Sequence, residues 1–496
     1  MTYPTFQNLI GGEWMPAVSG KTMLNLNPAD HSDVVGAFPS SHAEDVALAV
    51  AAAKKAFGSW RLVPAPKRAE LLMRAGNLLV QRKEKYARDM TREMGKVLAE
   101  TRGDVQEAID EAFYVAGEGR RLFGQTTPSE LQNKFAMSIR MPLGVVGLIT
   151  PWNFPMAIPS WKLFPALVSG NTCIIKPATD TPLSTYNLVQ ALIDAGLPPG
   201  VVNIVAGSGS AVGTPLIEHP DVRAVSFTGS SDVGSLVGQR ASATFKPVSL
   251  EMGGKNAQIV MDDANLDLAL DGALWGAFGT TGQRCTATSR ILLQKGIAAE
   301  FTARFVDRAK KLKVGNGLDE SVEVGPQVNP DQIETSAKYV AIALAEGAKL
   351  LAGGHALTTG IYAHGTYFEP TVLGAVTPSM RIAREEVFGP VVSLIEFETF
   401  EQAIDIANSI DYGLSTYLYT KDVNRAFTAI RDLEAGITYI NAPTIGAEVH
   451  LPFGGVKHTG NGHREGNGAI DFFTTWKAVY VDYSDKLQRA QIDNAE

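Results

Sequence analysis

One of the two cysteines in the chain lies beside a cation, in a run of small and polar residues. Cys285 follows Arg284 in the segment Gly-Thr-Thr-Gly-Gln-Arg-Cys-Thr-Ala-Thr-Ser-Arg at 279–290. A cysteine attacks a carbonyl carbon as its thiolate, and a neighbouring cation lowers the pKa of the thiol. A free cysteine is, however, commonly just a small buried residue of the core. Cys285 is therefore a candidate nucleophile, and both interpretations stay open on this segment alone.

A candidate base precedes this cysteine in the chain. The segment Val-Ser-Leu-Glu-Met-Gly-Gly at 248–254 predicts a strand that ends in Glu251 on a glycine-rich turn. A carboxylate at the end of a strand can reach a cleft and accept a proton there. Glu251 therefore strengthens the catalytic interpretation of Cys285.

The composition describes an ordinary globular chain. It has 496 residues, of which 45% are hydrophobic and 19% charged, and this length predicts about three domains. The net charge of −8 provides no basic surface for a nucleic acid, so we expect no such partner. Two cysteines cannot build a disulfide framework, which favours a cytoplasmic protein.

One stretch resembles a membrane span in composition. Residues 141–161 contain no charged side chain, but Pro151, Pro155 and Pro159 interrupt them. Glycine and proline breaks of this kind indicate strands and turns rather than a spanning helix. The first residues also lack the cationic and apolar regions of a signal peptide. We therefore expect no membrane association.

Strand-like and helical segments alternate over most of the chain. The segment 66–122 is helical, and we interpret its mixed charges as a solvated face of a scaffold. Beyond it, β-rich runs separated by helical segments predict two α/β domains with parallel sheets. These runs are 145–150, 172–176, 202–205, 224–228 and 248–251, followed by 290–293, 391–397, 415–419 and 437–441. The tail at 472–483 predicts a strand that joins another sheet, for example that of another subunit.

Two glycine-rich segments are candidate phosphate sites. Gly209 and Gly213 belong to a weak dinucleotide fingerprint, because the last glycine comes one position late and no acidic residue follows at the usual distance. At 226–234 a predicted strand leads through Gly229 and Ser230 into a predicted helix, whose free amides can bind a phosphate. A purely structural turn explains this second segment equally well.

Another candidate lies in Pro-Trp-Asn-Phe-Pro at 151–155, which follows a predicted buried strand. The amide of Asn153 can donate a hydrogen bond to an oxyanion. An asparagine in a turn is the simpler interpretation of this motif alone.

Taken together and in order, these motifs resemble the aldehyde dehydrogenase superfamily across nearly the whole chain. The motifs are Pro-Trp-Asn-Phe-Pro, Lys-Pro-Ala at 176–178, Phe-Thr-Gly-Ser, Leu-Glu-Met-Gly-Gly, Gly-Gln-Arg-Cys, Glu-Glu-Val-Phe-Gly-Pro and Pro-Phe-Gly-Gly. Within the family, Gly-Gln-Arg-Cys-Thr-Ala and Asn-Ala-Pro-Thr at 441–444 are most similar to semialdehyde dehydrogenases acting on carboxylate-bearing aldehydes, such as 2-oxoglutaric semialdehyde dehydrogenase.

The resemblance implies a reaction in which Cys285 attacks the aldehyde and the resulting thiohemiacetal loses hydride to give a thioester. Glu251 would then activate the water that hydrolyses the thioester, while Asn153 and the Cys285 amide hold the oxyanion. Lys162 and Glu465 match a pair that relays protons from the base. The segment before Glu465 holds one residue more than the family pattern, which puts this match in doubt.

The resemblance also implies NADP or NAD as cofactor and no metal. Lys176 and Glu386 match positions that bind ribose hydroxyls, and Gly229 and Ser230 offer amides to the pyrophosphate. The other cofactor positions are Thr150, Pro151, Trp152, Thr179, Gly209, Gly213, Phe227, Gly253 and Phe388. Many members carry glutamate where this chain has Thr179, and a neutral hydroxyl does not repel the 2′-phosphate of NADP.

For the substrate, the resemblance implies a channel walled by Phe154, Trp161 and Phe453. Arg284 has two possible roles. Its guanidinium either stays in a buried structural ion pair or turns into the channel, where it suits a carboxylate.

The architecture implied is an α/β aldehyde dehydrogenase fold with two Rossmann-type parallel-sheet domains and a β-flap that builds homodimers or homotetramers. Residues 1–122 and 143–253 would form the dinucleotide-binding domain, and 254–456 the catalytic domain. Residues 123–142 and 472–496 would form the oligomerisation flap.

Other functions remain to be weighed. A broad-specificity aldehyde dehydrogenase and a CoA-acylating one are the nearest, although Glu251 argues against the latter. A cysteine hydrolase would need a histidine base, for which His219, His450, His458 and His463 are available in polar or loop contexts. A catalytically silent nucleotide-binding protein would not need both Cys285 and Glu251.

Overall fold

A computed structural model describes residues 3–443, 447–462 and 465–492, and two seven-stranded sheets organise it. In the first sheet five parallel strands are followed by an antiparallel hairpin at one edge. In spatial order its strands are Val248–Glu251, Val222–Thr228, Val145–Ile149, Thr172–Lys176, Val202–Ile204, Asn8–Ile10 and Glu13–Met15.

The second sheet is parallel except for one edge strand. In spatial order its strands are Lys349–Ala352, Thr371–Gly374, Val391–Phe397, Arg290–Gln294, Ala257–Val260, Ser415–Tyr419 and Ile437–Ile440. Apolar clusters cover both faces of each sheet, which is why the central strands are almost continuously apolar. The predicted α/β class with two parallel sheets is confirmed.

Helices connect the strands and cover the sheets. In chain order they are α1 (Ala43–Trp60), α2 (Ala65–Met94), α3 (Leu98–Glu118), α4 (Ala157–Ser169), α5 (Pro182–Asp194), α6 (Thr214–Glu218), α7 (Ser231–Ser242), α8 (Leu266–Phe278), α9 (Lys295–Ala309), α10 (Pro330–Ala345), α11 (Arg381–Arg384), α12 (Phe400–Asn408), α13 (Val423–Asp432) and α14 (Ala469–Phe472). No helix in the described ranges is both long and apolar enough to cross a bilayer.

A three-stranded antiparallel flap consists of Gln125–Pro128, Lys134–Pro142 and Thr474–Asp482. The tail strand pairs along its full length with Lys134–Pro142 of the same chain. The tail was expected to join a different sheet, and it begins later than predicted because α14 occupies the preceding residues.

Four short antiparallel pairs complete the described strands. They are Thr22–Asn27 with Asp30–Pro39, Ala356–Leu357 with Tyr367–Phe368, Tyr412–Gly413 with Val456–Lys457, and Pro452–Phe453 with Glu465–Gly466. The last two pairs bring the segment after the second sheet back toward the first sheet, where the backbone of Glu251 bridges to Gly460.

The helix α3 has an unusual buried face. Apolar residues such as Val105 and Val115 pack against the core, as expected for an amphipathic helix. Asp104 and Glu111 are also buried on this helix, although carboxylates are rarely fully buried without a partner. These side chains point to a role for α3 beyond that of a scaffold.

Candidate active site

Cys285 follows a tight loop at the end of α8. The turn Gly279–Gly282 contains Thr280 and Thr281 in left-handed conformation, with φ of 50° and 58°. A Cβ atom at Gly282 would lie 2.1 Å from the Gly389 carbonyl oxygen, so this position accepts only glycine. The small residues around the cysteine therefore serve close backbone packing as well as access.

Side chains from other elements fix this loop. Glu100 of α3 accepts hydrogen bonds from the Thr280 amide (2.7 Å) and from Nη2 of Arg284 (2.6 Å). On the other side, Nδ2 of Asn256 donates to the Cys285 carbonyl oxygen at 2.7 Å. The loop of the nucleophile is thus held by Glu100 of α3 and by Asn256, which lie far apart in sequence.

The thiol of Cys285 is not activated in this arrangement. Burial raises its pKa to about 12, and the nearby carboxylates of Glu386, Glu251 and Glu465 add to the rise. The expectation that Arg284 lowers the thiol pKa is wrong, because its guanidinium is directed to Glu100. The cysteine therefore needs a base to lose its proton near neutral pH.

Glu251 lies buried at the end of its strand, as the sequence predicts. Its carboxylate acts electrostatically on Cys285, so the two groups share one environment. The side chains that act electrostatically on the thiol are the carboxylates of Glu386, Glu251 and Glu465, and His463 lies outside the described ranges. Glu251 thus stays the candidate base, as in the aldehyde-oxidising interpretation.

The structure also brings together Lys162 and Glu465, which are 303 positions apart in sequence. Lys162 on α4 is ion-paired with Glu465 and donates to Oγ of Ser226 at 2.8 Å. Thr228 donates its hydroxyl to the same Glu465 oxygen at 3.3 Å. The additional residue before Glu465 does not prevent this contact, although residues 463 and 464 themselves lie outside the described ranges.

Asn153 is buried next to the nucleophile loop, where its Nδ2 donates to the Gln283 carbonyl oxygen at 3.1 Å. The loop that carries it is held by a buried ion pair. Nζ of Lys96 donates to Asp104 at 2.6 Å and to the Asn153 carbonyl oxygen at 3.0 Å. The other Asp104 oxygen accepts from the Ala157 amide at 2.7 Å. One ion pair thus fixes both ends of the segment that presents the amide.

A cavity of about 180 Å³ opens on one side of the cysteine. Its wall includes Pro151, Trp152, Asn153, Gly229, Ser230, Gly253, Cys285, Glu386 and Phe388. Trp152 and Phe388 meet edge to face, with ring centroids 5.2 Å apart. Most of the cofactor residues predicted from sequence therefore surround one opening that ends at the thiol.

Within this wall, Glu386 accepts a hydrogen bond from the Gly254 amide at 2.9 Å. Burial raises the Glu386 pKa to about 7. A Cβ at Gly253 would lie 2.0 Å from this carboxylate, and one at Gly229 would lie 2.6 Å from the Phe227 ring. These glycines therefore allow the Glu386 carboxylate and the Phe227 ring to approach the backbone of the cavity wall closely.

Lys176 is buried at the end of its strand. Its Nζ donates to the carbonyl oxygens of Pro177 (2.6 Å) and Gly207 (3.3 Å), and burial lowers its pKa to about 8. The Thr150 amide donates to the Lys176 carbonyl, while Thr179 is half-buried nearby, with its hydroxyl 3.4 Å from an Asp180 oxygen. This polar group fits a ribose and its 2′-substituent.

The two glycine-rich segments differ in this setting. Ser230 caps α7, a helix long enough to present free amides to a phosphate. Gly209 and Gly213 bound a single π-helical turn instead, in which Gly209 is exposed and Gly213 lies against the Lys176 side chain. The N-terminus of α7, the wall of the first cavity and the polar group around Lys176 together fit a dinucleotide.

A second cavity, of about 630 Å³, borders the loop that carries the nucleophile. Phe154 and Arg284 line it, whereas their neighbours Asn153 and Cys285 line the first cavity. Consecutive residues of the two loops thus face two different cavities. We refer to the second one as the distal cavity.

The three predicted aromatic residues do not share one cavity. Phe154 lines the distal cavity, and its ring lies 3.9 Å from Nζ of Lys96 and 5.5 Å from the Arg284 guanidinium. Trp161 and Phe453 meet edge to face at 5.0 Å but line neither the first cavity nor the distal one. Of the three rings, Phe154 alone is in the wall of the distal cavity.

Arg284 combines features of both roles considered for it. Its side chain is ion-paired with Glu100 at 2.6 Å, and its Nε donates to the Thr280 hydroxyl. It nevertheless lines the distal cavity, and among the described residues its Nη1 has no hydrogen-bond acceptor. The guanidinium is thus a fixed cation at the cavity wall rather than a freely turning one.

Sequence reasoning missed the part played by α3 and by the residues just before it. Lys96, Glu100, Asp104 and Glu107 all contribute to the site or to the distal cavity. The interpretation of 66–122 as scaffold with a solvated charged face is therefore wrong for α3. The spacing of Glu100, Asp104, Glu107 and Glu111 along one helical face is the signal that could have found it.

Comparison with known proteins identifies the family. A model of the aldehyde dehydrogenase family matches residues 14–479. The chain belongs to the aldehyde dehydrogenase family. Over 478 residues it is 44% identical to an alpha-ketoglutaric semialdehyde dehydrogenase of Bacillus subtilis, which covers 96% of this chain and 98% of the relative.

Two further similarities concern the cofactor. The chain is 39% identical over 461 residues to an NADP-dependent succinate-semialdehyde dehydrogenase of Escherichia coli, covering 93% of this chain and 94% of that one. The crystal structure of an NAD-dependent aldehyde dehydrogenase from Sinorhizobium meliloti superposes with a TM-score of 0.95 at 37% identity, covering 98% and 96% of the two chains. The protein is accordingly an NAD(P)-dependent oxidoreductase that acts on aldehydes.

Proposed function

We propose that this aldehyde dehydrogenase oxidises a short acidic ω-semialdehyde, such as 2-oxoglutaric or succinic semialdehyde, to the corresponding acid. The observation that carries this proposal is Arg284, a fixed cation in the wall of the distal cavity and next to the nucleophile in sequence. A guanidinium in the wall of this cavity suits the far carboxylate of such a substrate. The named activities of the relatives from Bacillus subtilis and Escherichia coli support the same substrate class.

In the proposed reaction, Glu251 takes the proton of the Cys285 thiol, and the sulfur adds to the aldehyde carbon. Nδ2 of Asn153 and the Cys285 amide donate to the oxyanion, a kind of contact that contributes about 3–4 kcal/mol per donor. A bound nicotinamide supplies the acceptor for the hydride that leaves this carbon. Glu251 passes the first proton to the Lys162 and Glu465 pair and is again a carboxylate. It then removes a proton from water, which attacks the thioester and releases the acid and the Cys285 thiolate.

For the cofactor, we propose that Lys176 and Glu386 bind ribose hydroxyls and that the amides of Gly229 and Ser230 meet the pyrophosphate. Thr179 adds no carboxylate that would repel a 2′-phosphate. NADP is therefore used at least as well as NAD.

We propose the domain division as predicted, with 1–122 and 143–253 binding the dinucleotide and 254–456 carrying the nucleophile. The strand membership of the two sheets supports it. Residues 123–142 and 472–496 are proposed to join subunits into homodimers or homotetramers, supported by exposed Trp476 and Tyr480 on the flap. The free thiols of Cys173 and Cys285 support a cytoplasmic location.

A substrate panel tests the proposal. Reduced nicotinamide is followed with an acidic ω-semialdehyde and with an alkyl aldehyde of equal length, using NAD or NADP and with CoA present or absent. The acidic substrate should have the higher kcat/KM, with no need for CoA. A requirement for CoA would instead favour the acylating reaction.

Two variants separate the roles of Arg284. Loss of one charge-assisted hydrogen bond costs about 1.5–3 kcal/mol, so Arg284→Met should lower kcat/KM for the acid about ten- to a hundredfold and for the alkyl aldehyde much less. Glu100→Gln is the matched control, because it removes the ion pair but keeps the guanidinium. Equal losses on both substrates in Arg284→Met would mean that Arg284 only supports the loop.

A further inference from the structure

The distal cavity contains more acidic than basic side chains, which is unexpected for a site that is proposed to receive an anion. Its acidic wall residues are Glu100, Asp104, Glu107, Asp110 and Glu448. A carboxylate entering among ionised carboxylates would be repelled. The state of each acidic group therefore decides whether the cavity can accept the substrate.

Two of these groups are ion-paired, Glu100 with Arg284 and Asp104 with Lys96. Two others are exposed: Glu448 lies 3.2 Å from Nε2 of His450, and Asp110 accepts a hydrogen bond from Gln106 at 2.8 Å. Their charges are thus compensated or open to solvent.

Glu107 differs from the other four. It is partly buried one turn beyond Asp104 on α3, and no hydrogen bond or ion pair connects its carboxyl group to another described residue. It lines the same cavity as Arg284 and lies within electrostatic reach of it. Burial, Cys285 and Glu107 all raise the pKa of Tyr439, so this tyrosine lies within electrostatic range of the thiol and of the Glu107 carboxyl group.

The surroundings of Glu107 favour its neutral form. Its pKa is raised to about 8, mainly by burial and also by Asp104 and Asp110, whereas Lys96 and Arg284 oppose the rise. The charged or titratable groups that face it from the packed elements are Lys96, Arg284, Asp104, Asp110, Glu111 and Tyr439. A neutral carboxyl group has an O–H donor, which the ionised group lacks.

We propose that Glu107 is a specificity-determining residue of the distal cavity, which in its protonated form donates a hydrogen bond to the far carboxylate of the substrate and in its ionised form repels it. Arg284, although ion-paired with Glu100, offers the remaining Nη1 donor of its guanidinium to the same carboxylate. The proposal rests on the acidic substrate proposed above. It explains how a cavity with a mainly acidic wall discriminates in favour of an anion.

The test compares the pH dependence of kcat/KM for two aldehydes of equal length, one acidic and one neutral, on the full-length enzyme. Groups such as Glu251 and Cys285 act on both substrates, so they cancel in the ratio of acidic to neutral kcat/KM. We expect this ratio to fall about tenfold between about pH 7 and pH 9. When Glu107 ionises, it loses its O–H donor and its negative charge repels the substrate carboxylate.

Glu107→Gln keeps a donor of the same size but cannot ionise, so its ratio should vary less than about twofold over the same range. Glu448→Gln is the matched control, because it removes an exposed carboxylate from the same cavity that is not among the groups shifting the Glu107 pKa, and it should retain the pH dependence of the wild type. Binding of a dicarboxylate inhibitor such as glutarate provides a second measurement that does not depend on turnover. Its Kd should rise with pH in the wild type and not in Glu107→Gln.

The outcomes separate this inference from the proposed function. A wild type that oxidises the acidic and neutral aldehydes equally well would overturn the proposed function. A wild type that prefers the acid with a ratio independent of pH, or a Glu107→Gln variant that keeps the fall, would overturn the inference alone.

Discussion

Replacement of Lys96 by methionine should impair catalysis through Asn153, although Lys96 is not proposed to touch the substrate. Its ammonium group is fully buried, donates to the Asn153 carbonyl oxygen at 3.0 Å and is ion-paired with Asp104 at 2.6 Å. Methionine fills much of the same volume but makes neither contact. The loop would then lose one anchor directly, and the second as Asp104 becomes an unpaired buried charge.

The expected loss of kcat follows from the role of the Asn153 amide as an oxyanion donor. One oxyanion donor contributes about 2.7–4 kcal/mol, or about a hundred- to a thousandfold in kcat, and this sets the upper bound for the loss. Partial displacement of the amide should lower kcat about ten- to a hundredfold. Leaving Asp104 unpaired should also destabilise the protein by about 3–5 kcal/mol.

A double-mutant cycle with Asn153→Ala tests the route of this effect. If Lys96 acts by positioning the Asn153 amide, Lys96→Met should cost less than about threefold in kcat once that amide is absent, because coupled residues are not additive. Turnover is followed through reduced nicotinamide at saturating aldehyde, and folding by thermal melting. An equal loss in both backgrounds would refute the positioning role.

Lys246→Met provides a control for general destabilisation. Lys246 is also buried and donates to two carbonyl oxygens, those of Ile217 and His219, but it follows α7 and lines neither cavity of the site. Its replacement should lower the melting temperature and leave kcat unchanged at temperatures where the variant is folded.

Three further predictions concern the nucleophile, the base and the cofactor. The alkylation rate of Cys285 in the cofactor-free enzyme should rise about tenfold per pH unit from about pH 7 to 9, since its pKa of about 12 leaves little thiolate; a plateau near pH 8 would contradict this. Glu251→Gln should slow the burst of reduced cofactor in stopped flow and abolish steady turnover, because the same carboxylate serves the thiol and the hydrolytic water; a burst at the wild-type rate would restrict Glu251 to hydrolysis, and unimpaired steady turnover would refute its role as a base. Thr179→Glu should shift preference toward NAD, and unchanged kcat/KM ratios for the two cofactors would oppose the proposed ribose contact.

The strands could be predicted from the sequence, because a parallel sheet that is covered on both faces has strands made of continuous apolar residues. The runs at 145–150 and 172–176, for example, match the strands Val145–Ile149 and Thr172–Lys176 closely. Candidate residues at strand ends, such as Glu251, could be predicted because the apolar run shows where the strand ends.

The electrostatics of the site could not be predicted in this way. Adjacency of Arg284 and Cys285 in sequence does not give the direction of a side chain, and the arginine turns toward Glu100. The contact between Lys96 and Asn153 joins residues 57 positions apart, without any local pattern to indicate it. On α3, the helical spacing of the carboxylates could have singled out one face, but such a face is usually solvated, and only the structure shows that Glu107 lines a cavity.

The carboxylates around Cys285 also affect how the protein withstands oxidative stress. Peroxide oxidises thiolates to sulfenic acid and reacts only slowly with protonated thiols. A thiol with a pKa of about 12, held neutral by burial and by Glu386, Glu251 and Glu465, is therefore a poor target for peroxide. The resting enzyme should survive exposure that inactivates proteins with exposed, acidic cysteines, and its vulnerability should be confined to moments when the thiolate forms during turnover.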